Sequence, residues 1–83
     1  MIKVLYFGHL MDAFGLGKEE IDFTESLNTV GGLIALLASR GDVWRQALTQ
    51  NRALKITVNK QFVEPDSALK AGDEVAFVAF MVS

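Results

Sequence analysis

Two runs of β-forming apolar residues stand at opposite ends of the chain, Ile2-Lys3-Val4-Leu5-Tyr6-Phe7 and Val75-Ala76-Phe77-Val78-Ala79-Phe80. Each is apolar at nearly every position, which is the pattern of a strand with both faces largely covered, so both belong in the middle of a sheet. The economical arrangement sets them side by side. Cover for one face comes from the middle of the chain, where Val30, Leu33, Ile34 and Leu37 fall at i, i+3, i+4 and i+7 behind a cap at Asn28 or Thr29.

The remaining segments fit around that frame. His9 to Phe14 places Leu10, Met11 and Phe14 at helical spacings before Gly15-Leu16-Gly17, a short helix with a glycine stop. Lys18 to Phe23 puts Ile21 and Phe23 on one side of a half-buried edge strand and charge on the other. Gly41 closes the main helix and Asp42 caps a second short one, in which Val43 with Ala47 and Trp44 with Leu48 form i, i+4 pairs. Leu54 to Val58 alternates and turns through Asn59-Lys60 into Gln61-Phe62-Val63. After Pro65, Asp66 to Leu69 reads as one helical turn, and Lys70-Ala71-Gly72-Asp73 as a tight turn into the last strand. The order strand, strand, helix, strands predicts an α+β chain of the β-grasp, or ubiquitin-like, plan: a mixed sheet with one main helix and a short second helix on one face. A ferredoxin-like arrangement starts strand, helix, strand instead.

Composition narrows function by exclusion. With 83 residues the chain is expected to be a single domain, 1–83, with an apolar tail over 78–83, and it has little room for a deep catalytic pocket. No cysteine is present, which removes disulfides, thiol nucleophiles and zinc fingers, and the single histidine, His9, makes a metal centre improbable. A net charge of −2 disfavours binding to nucleic acid or an anionic membrane surface. Neither a leader nor a membrane-spanning stretch is visible, so a cytoplasmic location is expected. Phe14-Gly15-Leu16-Gly17-Lys18-Glu19 is only superficially like a phosphate loop, since Asp12 and Glu19 stand where that motif needs glycine and a hydroxyl. Ser26, Ser39 and Ser67 sit in caps or turns, and no catalytic residues are assigned. The carboxylates around the edge strand (Glu19, Glu20, Asp22, Glu25) and the last turn (Glu64, Asp66, Asp73, Glu74) read as solvated faces, and Lys55, Lys60 and Lys70 as a small basic patch without interleaved aromatics.

One segment does not fit a solvated surface. The last strand carries apolar side chains to the penultimate residue, where chain ends are normally polar, so Phe80, Met81 and Val82 are candidate partner contacts.

Taken together, several segments resemble the small, sulfur-carrying subunit of molybdopterin synthase (MoaD-like). They are Met1 to Phe7 with its short helix, Thr29-Val30 opening the main helix, Trp44 in the second helix, Ile56-Thr57-Val58-Asn59, and Ala68 to Phe77 through Gly72-Asp73-Glu74-Val75. A related sulfur carrier of thiamine synthesis shares the fold but usually lacks the helix around Trp44.

The resemblance implies a non-catalytic carrier with no self-contained active site and no bound cofactor, working in molybdenum cofactor biosynthesis. Such carriers end in Gly-Gly. An adenylating, E1-like partner spends ATP to activate the terminal carboxylate, sulfur replaces one oxygen, and the thiocarboxylate tail enters the large synthase subunit to donate sulfur to a pterin precursor. Slim glycines suit a tail that must thread a tunnel. Here the sequence ends Phe80-Met81-Val82-Ser83. Three readings therefore stand beside one another: a chain that continues into Gly-Gly, activation at Ser83 itself, and a diverged ubiquitin-like binding module without sulfur-carrier activity.

Overall fold

The computed structural model describes residues 1–51 and 53–79. In chain order these form β1 (Ile2–Gly8), α1 (His9–Phe14), β2 (Lys18–Ile21), a 3₁₀ turn (Glu25–Leu27), α2 (Val30–Ala38), α3 (Asp42–Thr49), β3 (Lys55–Val58), β4 (Gln61–Phe62) and β5 (Glu74–Ala79). The sheet order is β2-β1-β5-β3-β4, so the two terminal strands lie side by side at its centre. They run parallel, with Val4 opposite Val75 and Tyr6 opposite Phe77. β2 pairs antiparallel on the far side of β1, and β3 antiparallel on the far side of β5. This is the mixed β-grasp sheet expected from the pattern.

All three α-helices of the described residues add to a core on one sheet face. Leu10, Leu33, Leu37 and Leu48 close over Ile2, Val4, Tyr6, Ile56, Val75, Phe77 and Ala79. Thr29, rather than Asn28, caps α2, its Oγ1 accepting from Gly32 N at 3.0 Å. Gly31 and Gly32 weaken helix propensity but allow close approach, since a Cβ on Gly32 would lie 2.3 Å from the Ser26 carbonyl oxygen.

Several expectations are corrected. β2 stops at Ile21, leaving Phe23 outside the ladder, and β3 begins at Lys55 rather than Leu54. Gly41 is the N-cap of α3 and Asp42 is already inside the helix. Val43 is exposed, so its pairing with Ala47 does not reach the core, whereas Trp44 and Ala47 pack against it and Leu48 is buried. Asp66 to Leu69 forms no helical turn. Its backbone is used to close the start of α2 instead: Val30 N donates to Ser67 O, Leu69 N donates to Asn28 O, and Ala68 bridges Thr29. Nor is β1 covered on both faces, because Lys3 and Phe7 are exposed on the side away from the helices.

The Asn59-Lys60 turn has both residues at positive φ, 51° and 71°, the type I′ geometry of a two-residue hairpin. Asn59 suits it and Lys60 does not. Replacing Lys60 with Gly is expected to raise stability by about 0.5–1 kcal/mol, read as a higher urea midpoint. The turn is tied to the start of β5 by Asp73, which sequence reasoning placed on a solvated face but which is buried. Its carboxylate accepts from Asn59 Nδ2 and Lys70 N, both at 3.0 Å, while Asn59 Oδ1 accepts from Glu74 N at 3.1 Å.

Candidate docking site

Strand alternation divides the sheet into a closed and an open face, and register fixes what the open face presents. Opposite one another across β2, β1 and β5 stand Glu20, Lys3 and Glu74. The next row runs Lys18, Leu5, Ala76, Thr57 and Phe62 across all five strands. A third holds Phe7, Val78 and Lys55. Leu5, Phe7, Ala76, Val78 and Phe62 thus make an apolar band between charged margins, with Phe7 43% and Phe62 77% exposed. Apolar side chains grouped this way on a small protein mark a contact surface.

The band surrounds β5, which is the strand that leads to the chain's C-terminal residues. The tail residues singled out from sequence, Phe80, Met81 and Val82, and the candidate carrier terminus Ser83 lie outside the described residues. Leu5, Phe7 and Phe62 were missed by sequence reasoning, which assigned the apolar residues of the terminal strands to a sheet covered on both sides. The available signal was the shortage of cover: every helix here is needed for one face.

The second polar feature sits at the opposite side of the same strands. Glu19, expected on a solvated edge, instead faces inward beside Ile21 and receives the Tyr6 hydroxyl at 2.7 Å. Arg40, just beyond α2, donates to it through Nη1 and Nη2, each at 2.8 Å, a bidentate pair. The guanidinium lies 4.7 Å from the Trp44 ring centroid, and Trp44 stacks on Phe14 at 3.7 Å. Phe14 and Trp44 in turn meet the Tyr6 ring edge to face.

The cluster joins β1, β2, α1, α3 and the end of α2. The Tyr6 hydroxyl, the Glu19 carboxylate and the Arg40 guanidinium are paired with one another inside the protein, which marks the cluster as a structural latch. Burial, then the bond to Glu19, pushes the Tyr6 hydroxyl well above its usual range, so it stays a neutral donor. The Arg40 bond holds the Glu19 carboxyl below 4.5 against the opposing effect of burial. A carboxylate depressed by folding contributes stability above its unfolded value and loses it as pH falls through the folded one. Glu19→Gln is therefore expected to lower stability at neutral pH and to flatten the loss of stability below pH 4.5, measured by urea titration across pH.

Among the described residues no group of His, Cys, Asp and Glu could hold a metal ion, and no helix is long and apolar enough to cross a membrane. His9 is exposed at the start of α1. Gly15 is a left-handed helix stop, its N–H donating to Met11 O at 3.0 Å. An open groove of about 600 Å³ between α2, α3 and the β3–β4 hairpin is lined by Ile34, Leu48, Leu54 and Val63 among others, and converges no catalytic groups.

Comparison with known proteins bears on this arrangement. Residues 4–82 match the ThiS family. The chain is 31% identical over 77 residues to the molybdopterin synthase sulfur carrier subunit of Haemophilus influenzae, covering 93% of this chain and 91% of that one. It is also similar to a solved Pyrococcus furiosus protein described as molybdopterin converting factor subunit 1, with a TM-score of 0.77, 28% identity and 94% of each chain covered. A third likeness, of fold alone, is to a Helicobacter pylori structure of a complex between subunits 1 and 2 of molybdopterin-converting factor. There the TM-score is 0.66 and the identity 17%, over 99% of this chain and 96% of that one.

Proposed function

Because this chain belongs to the ThiS family, we propose that it is the sulfur-carrier small subunit of a molybdopterin synthase and delivers sulfur as a C-terminal thiocarboxylate to a large subunit. The observation that carries this reading is the placement of β5. It is the strand that leads to the C-terminus, it is held between β1 and β3, and its open-face residues Ala76 and Val78 lie within the apolar band. A partner that covers the band lies against β5, the strand that precedes residues 80–83.

The division of labour follows from what each side can supply. This chain contributes a docking surface and a terminal carboxylate, while the pocket belongs to the large subunit. Activation of the carboxylate falls to an adenylating enzyme that consumes ATP. A carboxylate is a poor acceptor for a sulfur nucleophile until adenylation gives it a leaving group, which is why the carrier needs that second partner.

The test is binding. Mixed with a molybdopterin synthase large subunit, the full chain is expected to form a complex by titration calorimetry, with protection from hydrogen exchange in β1 and β5. Absence of binding, or protection confined to the helices, contradicts the reading. Binding without any capacity to be thiocarboxylated identifies the chain as a ubiquitin-like binding module instead.

A further inference from the structure

We propose that the open sheet face also pairs with a second copy of this chain, forming a weak two-fold dimer held by reciprocal Lys3–Glu74 contacts around an apolar centre. The inference comes from the register of the two central strands. Because β1 and β5 run parallel, Lys3 stands beside Glu74, Leu5 beside Ala76 and Phe7 beside Val78. A two-fold axis lying in the interface along the strand direction, between β1 and β5, exchanges the two strands and keeps each row at its own height. It sets Lys3 against Glu74 of the second copy and Glu74 against its Lys3, an isologous contact in which each pair occurs twice.

The same operation closes Leu5 on Ala76 and Phe7 on Val78, so the apolar residues meet one another rather than charge. Lys18 falls opposite Thr57, because β2 and β3 exchange places, and no like charges of the strands are opposed. Neither Lys3 nor Glu74 forms a salt bridge among the described residues, so both charges are available.

Size sets the strength. Four strands spaced at ~4.8 Å, over about five residues at ~3.3 Å each, give roughly 300–400 Å² per partner. Stable interfaces bury about 800 Å² per partner, so the dimer is weak and yields to a tighter partner. A second copy and a synthase large subunit exclude one another wherever both use this face.

A dilution series of the full chain followed by amide NMR, from roughly 0.02 to 1 mM, tests the proposal together with sedimentation velocity. Concentration-dependent shifts are expected in residues 3–7 and 74–78 and not in α2 or α3. Lys3→Glu and Glu74→Lys should each weaken self-association at least tenfold, and the double exchange should bring it back to within about threefold of the starting value. A thermal melt of each variant establishes that it is folded. A monomer throughout the series, shifts centred on another surface, or a folded double variant that stays monomeric overturns the dimer. The readout needs only this chain, so such a result leaves the sulfur-carrier reading untouched.

Discussion

Replacing Phe77 with Ala is expected to remove a large part of the folding free energy. Phe77 is fully buried at the centre of β5, opposite Tyr6 on β1 and Ile56 on β3, and its ring stacks on Tyr6 at 6.1 Å. Truncating such a residue costs about 3–5 kcal/mol, because transfer free energy is lost and the surrounding strands cannot close the cavity. A chain of this length has only ~4–12 kcal/mol in total at ~0.05–0.15 kcal/mol per residue. Urea unfolding should show the midpoint falling by about a quarter or more, or the protein already unfolded. Val78→Ala, one residue on and half-buried on the open face, should change stability by less than about 1 kcal/mol. Equal effects at the two positions would contradict the assignment of a closed and an open face.

Replacing Leu5 and Phe7 together with Glu is expected to abolish large-subunit binding while leaving the fold intact. Both residues lie on the open face, and Phe7 is 43% exposed, so charge there meets water in the free protein. In a complex the same charges are buried against apolar groups, and losing two central contacts of this kind amounts to about 3–4 kcal/mol or more, a weakening of several hundred-fold. Titration calorimetry with the large subunit measures the loss, and the urea midpoint checks the fold. Leu36→Glu supplies the control, since Leu36 is 42% exposed but sits on α2, on the other side of the molecule. Binding lost equally in the control, or kept in the double variant, would remove the open face from the docking account.

The strand order was legible because the terminal strands are apolar at both alternating positions while one amphipathic helix lies between them. Where local chemistry decides, reading from sequence also succeeded: Asn59-Lys60 forms the expected tight turn and Gly15 the expected helix stop. It failed where long-range pairing takes over. Ser67, Ala68 and Leu69 have acceptable helical character, but their backbone groups are taken by Asn28, Thr29 and Val30. Glu19 and Asp73 belong to stretches rich in acid, and only the fold brings Arg40 and Tyr6 to the first and Asn59 to the second. The docking band was hidden for a related reason. An apolar residue in a strand looks the same in sequence whether a helix or a partner covers it.

Glu19 and Arg40 also explain why charge near the edge strand matters to the fold rather than to recognition. Their pair is partly shielded and bidentate, and it is stacked on Trp44, unlike the exposed Arg45–Asp42 pair within α3 at 3.3 Å, which contributes little. The helices are thereby fixed over one sheet face, and among the described residues no helix covers the other.

Sulfur transfer onto the C-terminal carboxylate is the step on which the proposed function depends. Intact mass spectrometry of the full chain, after incubation with ATP, its adenylating enzyme and a sulfur donor, measures this directly. An acyl-adenylate is expected when the donor is withheld, and a species in which one terminal oxygen is replaced by sulfur when it is present. An unchanged mass under conditions that convert a Gly-Gly-terminated control carrier would contradict the proposed function.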